Sequence, residues 1–196
     1  MTPVTRLLLA ACALGFGLQL VAEGWLFEHL ALWPLDTSPY PPLFRPWQLA
    51  SYAFLHGDWL HLALNGYALY LFGSEIEALM GPRRFAIYFA ACVVGAGLTQ
   101  LGWSMVVQAG AIPTVGASGG IFGLLLAYGW AFPRRKLMPL LPPIPMPAWV
   151  FVSLYAAIEL WFGVSGTLAG VAHFAHLGGM VAGLVLLLVW RLRPLE

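Results

Sequence analysis

Polar residues are scarce in six stretches of this chain, at 6–27, 59–80, 85–107, 118–132, 148–162 and 168–190. Breakers and basic clusters close several of them: Gly81-Pro82-Arg83-Arg84, Pro133-Arg134-Arg135-Lys136 and Arg191-Leu192-Arg193. Crossing ~30 Å of hydrocarbon takes ~20 apolar residues, so the pattern predicts an all-α polytopic membrane protein of six helices. Its first stretch has no small-residue cleavage site and is expected to stay attached rather than act as a signal peptide. A single bundle over residues 1–196 is expected, with no internal repeat.

Composition agrees with lipid as the solvent. Only 9% of the 196 residues are charged and 61% are apolar, whereas roughly a quarter of a soluble domain is charged. That excludes an ordinary soluble domain. The net charge of +1 gives no reason to expect a nucleic-acid partner. Cys12 and Cys92 lie inside apolar runs and are read as packing residues.

An even number of spans puts both termini on one side, together with Arg6, Arg83, Arg84, Arg134, Arg135, Lys136, Arg191 and Arg193; Arg45 falls on the other. The positive-inside rule then predicts cytoplasmic termini and an outer loop at 28–58. This loop holds Pro34, Pro39, Pro41, Pro42 and Pro46 among Trp33, Tyr40 and Trp47. It is too proline-rich to span and aromatic enough to lie at the headgroups.

Ionisable and polar groups inside a membrane are costly and usually face a bundle interior or a wet cavity. Four stand out: His61, Asn65, Ser118 and His176. Counted from the cytoplasmic end of each helix at ~1.5 Å per residue, Ser118 lies ~21 Å up and Asn65 and His176 ~22 Å up. The three therefore share a level, and His61 sits one turn nearer the outer rim on the face of Asn65. The fourth stretch is too short to cross, so residues 108–117 must descend as irregular chain. Such backbone is tolerated at depth only where protein buries it or water reaches it, which implies an outward-opening cavity.

Ser118, in Gly116-Ala117-Ser118-Gly119-Gly120, stands at a helix start whose free N–H groups can stabilise an oxyanion. The motif is short, and a serine there also serves as an N-cap. A nucleophilic serine needs a base, and His176 is at the matching depth. Gly119, Gly123 and Ala127 on one helix, with Gly179 and Gly183 on the other, would let the two backbones approach. His61 and Asn65 read either as helix–helix glue or, beside a buried serine, as oxyanion donors.

These residues resemble the rhomboid family of intramembrane serine proteases. His61-x-x-x-Asn65 is similar to the family's second-helix signature, Gly116-Ala117-Ser118-Gly119 to its nucleophile motif, and Ala175-His176-Leu177-Gly178-Gly179 to its sixth-helix motif. Gly73-x-x-x-Glu77-x-x-x-Gly81 resembles the cytoplasmic end of its second helix. The resemblance covers essentially the whole chain, in order. It implies that Ser118 is the nucleophile and His176 the general base, with oxyanion donors His61, Asn65 and the Ser118 N–H. Gly116, Gly119 and Gly179 would be supporting positions, and Phe122 would stack on the imidazole.

The implied catalytic unit is a dyad, matching the absence of a carboxylate at the right depth. Glu159, toward the outer end of the fifth stretch, is read as a paired or snorkelling carboxylate rather than a third member. His56 is expected to brace the loop before the second helix, and His173 to line the cavity wall or anchor a loop. Gln48 stands where many relatives have Arg, which puts one loop contact in doubt.

The expected substrates are transmembrane segments of other proteins, cut near the outer face without metal or cofactor, in a bacterial inner membrane. The expected gate is the fifth span with residues 163–170. Competing readings are an inactive rhomboid-like protein that binds or escorts membrane helices, a metal site built from His56, His61, His173 and His176, and a small-solute transporter. No H-E-x-x-H motif supports the metal site, and no inverted repeat supports the transporter.

Overall fold

The computed structural model describes residues 1–35, 42–107, 112–139, 143–167, 170–193 and 195. Pro39, Tyr40 and Pro41 of the outer loop, the first part of the 108–117 descent and residue 168, the expected start of the last stretch, lie outside them.

Helix α1 (Pro3–Leu30) starts with proline in its first turn, where a missing N–H costs nothing, and kinks at Ala22, whose φ/ψ of −143°/38° is not helical. A short helix α2 (Gln48–Ser51) runs into a 3₁₀ turn at Tyr52–Phe54. The second rod is α3 (Trp59–Ala68), a π turn (Leu69–Gly73) and α4 (Ser74–Met80). Asp58 caps it, its Oδ1 accepting the His61 N–H at 2.7 Å.

Gly81, at φ +78°, makes the reversal into α5 (Pro82–Val107). Then follow α6 (Ser118–Ala131), a two-residue antiparallel pairing of β1 (Lys136–Leu137) with β2 (Met146–Pro147), α7 (Ala148–Ser165) and α8 (His173–Val189). The α8 helix begins later than the apolar pattern suggests, because Gly170 has φ +100°, which a right-handed helix cannot include.

The fold is an all-α polytopic bundle, and the protein is an integral membrane protein. Helices α1, α5 and α7 are each long and apolar enough to cross a bilayer. Side chains such as Leu14, Val21, Val106, Trp161 and Val164 point outward, as lipid allows. At the centre, α6 packs between α5 and α8. A Cβ at Gly179 would land on the Gly119 carbonyl oxygen, and one at Gly123 on the Cys92 sulfur. Small residues thus bring these backbones together, and buried Cys92 fills the gap they leave.

Residues 112–117 carry irregular backbone whose polar groups are met by protein. Leu32 and Thr114 exchange N–H···O bonds of 3.0 and 2.9 Å, and the Gly116 N–H donates to the Tyr52 carbonyl at 2.9 Å. Buried Gln48 organises the loop before it, its Oε1 accepting the N–H groups of Trp33 (3.3 Å) and Arg45 (3.1 Å).

At the arginine-rich end, α1 is fastened by Glu77. Its buried carboxylate accepts the Val4 N–H (2.9 Å), the Thr5 N–H (2.7 Å) and the Thr5 hydroxyl (2.8 Å). A carboxylate is thereby set on the unpaired donors of a helix N-terminus, where the dipole favours it. Replacing Glu77 by Ala strands those donors and should destabilise the bundle by about 3 kcal/mol. Denaturant titration in micelles would read this as a lowered midpoint.

Candidate functional site

Ser118 is the first residue of α6, and His176 lies in the first turn of α8. The close approach of these helices at Gly119 and Gly179 brings the two side chains together, with Ser118 Oγ 2.8 Å from His176 Nε2. Phe122, one turn further along α6, stacks on the imidazole at 4.2 Å between centroids and an interplanar angle of 8°. The ring plane of His176 is thus set by packing.

Gly116 opens the space above Ser118. Its φ of +117° suits glycine, and a Cβ there would lie 2.7 Å from His61 Nε2 and 3.5 Å from Asn65 Nδ2. His61 Nδ1 accepts the Gly57 N–H at 3.3 Å, so in the neutral ring the proton sits on Nε2, facing Gly116. Asn65 Nδ2 is buried and has no hydrogen-bond partner among the described residues. Two side-chain donors and the start of α6 thus converge on one spot, and the Asn65 donor is unspent.

Glu159 is a paired carboxylate, as one sequence reading has it, but its partners revise the expectation that no carboxylate lies at the level of the pair. The structure places its carboxylate against the two histidines of α8, with Oε2 2.6 Å from His173 Nδ1 and 2.9 Å from His176 Nδ1. All three residues are buried. A carboxylate does reach the serine–histidine pair, and His173 is turned toward α7 rather than exposed on the cavity wall. Side-chain reach and helix face, which a depth count does not contain, account for the difference.

The histidines do not form the four-residue metal cluster considered from sequence. His56 pairs edge-on with His61 at 5.1 Å between centroids, and neither joins His173 and His176 in a group with ligand atoms close enough to share a metal. Glu159, His173 and His176 do offer ligand atoms within 4.8 Å of one another. Their N···O separations of 2.6 and 2.9 Å are those of direct hydrogen bonds, shorter than the roughly 3.3 Å between two ligands about a tetrahedral zinc.

His56 braces its loop through its backbone, which the buried Gln19 amide grips from both sides: Gln19 Nε2 donates to the His56 carbonyl at 2.7 Å and Oε1 accepts its N–H at 2.9 Å. Neither ring nitrogen has a partner among the described residues.

Ser118 and His176 face a cavity of about 870 Å³, lined by His61, Asn65, Leu64, Phe122, Phe151 and Tyr155 among others. It runs between the α3 rod and α7, which itself leans on α6 and α8.

A helical membrane bundle with a serine–histidine pair facing a cavity between its helices is the class of protein that the fold and site define. Residues 44–193 match the family model of the Rhomboid domain, and the chain belongs to the rhomboid family. Among its relatives, Rhomboid-like protein 11, chloroplastic, of Arabidopsis thaliana is 33% identical over 76% of this chain and 54% of its own length. Rhomboid protease GlpG of Serratia proteamaculans is 30% identical over 94% of this chain and 61% of its own. Rhomboid protein 1, mitochondrial, of Saccharomyces cerevisiae is 29% identical over 68% and 38%. The chain thus spans less than two thirds of these proteins.

Burial pushes the His56 imidazole down to about 4, and the nearby His61 charge adds to the effect. Unfolded, the ring titrates near ~6.5, so below that pH the unfolded chain binds the extra proton. Stability should therefore be full above pH ~6.5 and fall as pH drops toward about 4. Melting midpoints across this range should flatten in His56→Gln.

Proposed function

We propose that the protein is an intramembrane serine endopeptidase that cuts transmembrane segments near the outer membrane face, with Ser118 as nucleophile and His176 as base. The observation that carries the reading is the 2.8 Å Oγ···Nε2 contact beside a buried Asn65 donor with no partner among the described residues. The name of the Serratia relative, a rhomboid protease, supports the same chemistry.

His176 Nε2 takes the Ser118 proton as Oγ attacks the scissile carbonyl carbon. The carbonyl oxygen becomes an oxyanion held by the Ser118 N–H, His61 Nε2–H and Asn65 Nδ2–H. Collapse breaks the C–N bond, and the proton on His176 passes to the leaving amine. Water from the cavity then attacks the acyl-enzyme, giving its proton to His176, and the serine leaves with it. Substrates enter from the lipid side, between the α3 rod and α7, where Leu64, Leu71, Phe151 and Tyr155 present an apolar wall. An intact helix hides its own carbonyls, so the cut falls where a substrate unwinds. On this reading the arginine-rich end and both termini face the cytoplasm of a bacterial cell.

Cleavage of a tagged single-pass protein in proteoliposomes tests the reading. Wild type should cleave it and label with a fluorophosphonate, and Ser118→Ala should do neither. Equal cleavage by both would end the protease reading. Folded wild type that neither cleaves nor labels would favour a helix-binding protein instead.

Asn65→Ala should lower kcat about 10²-fold with KM nearly unchanged, because its donor acts on the transition state and not on the bound segment. Steady-state kinetics on the same substrate would show this.

A further inference from the structure

We infer that Glu159 is a positioning residue for His176, so that the working unit is Ser118–His176–Glu159 with His173 as a second brace. The inference rests on the protease reading for its consequence, but its geometry stands independently.

A carboxylate within a membrane helix is costly unless something needs it there. Glu159 is on α7, where both its neighbours in space are imidazoles rather than a lysine or arginine. One oxygen, Oε2, faces Nδ1 of both rings, at 2.6 and 2.9 Å. An ionised carboxylate can only accept, so both rings must present Nδ1–H to it. A neutral imidazole with its proton on Nδ1 has a bare lone pair on Nε2. For His176 that lone pair points at Ser118 Oγ, 2.8 Å away. Glu159 thus selects the one neutral tautomer in which His176 can take the serine proton.

The two contacts on the ring do different things. Phe122 holds the imidazole plane by stacking but leaves the ring free to flip within it, since a face has no preference for either nitrogen. The Nδ1–H···Oε2 bond removes that freedom. When the serine proton arrives on Nε2, the resulting imidazolium lies against an anion in a site shielded from water, where the attraction counts most. His173, 6% exposed, is fastened to the same oxygen at 2.6 Å and so helps hold the carboxylate in place.

The test uses full-length wild type, Glu159→Gln and Glu159→Asp in proteoliposomes, read by cleavage kinetics, fluorophosphonate labelling rate and ¹⁵N-histidine NMR. Glu159→Gln should lower kcat and the labelling rate on the order of 10²-fold or more, with KM within about twofold. Glu159→Asp should recover part of the loss. Wild-type His176 should show a protonated Nδ1 and bare Nε2, and the Gln variant a mixture. A Gln variant that melts as wild type does and keeps the wild-type kcat would overturn the inference. If that variant fails to fold, wild-type NMR decides: a proton resident on His176 Nε2 overturns it. A wild type that shows the Nδ1–H tautomer yet never cleaves or labels would sink the protease reading while leaving the role of Glu159 in place.

Discussion

The contact of α6 with α8 at Gly119 and Gly179 is the constraint on which the site depends. With any side chain at Gly179 the helices would separate, because the atom it would strike is a backbone oxygen that no rotamer change can move aside. Ser118 and His176 are on short arms, and a hydrogen bond of 2.8 Å tolerates little displacement. In lipid there is no hydrophobic force to press helices together, so such fit between backbones must supply the association. The same packing places Phe122 against the His176 ring.

A second constraint is the fate of polar backbone at depth. The α6 helix starts at Ser118, which puts a helix N-terminus and its free N–H groups beside the His176 imidazole. The chain leading to it is irregular and needs hydrogen-bond partners, which Leu32 and Tyr52 provide. The outer loop is therefore a support for the site, because its backbone and the buried Gln48 amide hold up the length of chain that ends at Ser118. At the opposite end Glu77 plays the corresponding part for α1, by filling the donors its first turn leaves open.

Much of this is legible in the sequence because depth is a one-dimensional quantity. Steps along a helix convert directly to height, and Ser118, Asn65 and His176 fall at one level by counting alone. Glycine spacing adds which helix faces could meet. Glu159 is where the depth argument fails: its position toward the outer end of its stretch sets it off the level of the pair, yet its long side chain puts Oε2 2.9 Å from His176 Nδ1, and which way α7 is rotated is not contained in a count of height. The π turn at Leu69–Gly73 has no signal either, since an apolar run reads the same whether or not one extra residue is inserted into a turn. The late start of α8 is hidden in a glycine whose backbone sign only the fold reveals.

On the proposed protease reading, the position of Glu159 also bears on how a substrate would be admitted. Because α7 forms one wall of the cavity and carries the carboxylate that touches His176, the width of the entrance and the orientation of the base are mechanically linked. Outward movement of the whole helix would stretch the Glu159–His176 bond at the moment a substrate arrives. Two features reduce that conflict. His173 ties the same carboxylate to the start of α8, near the end of α7, so this part of α7 is fastened beside the Ser118–His176 pair. Phe151 and Tyr155 line the cavity nearer the start of α7, one to two turns before Glu159. On the proposed protease reading, rotamer changes at these two aromatic side chains would widen the passage while α7 and the Glu159–His176 contact stay in place.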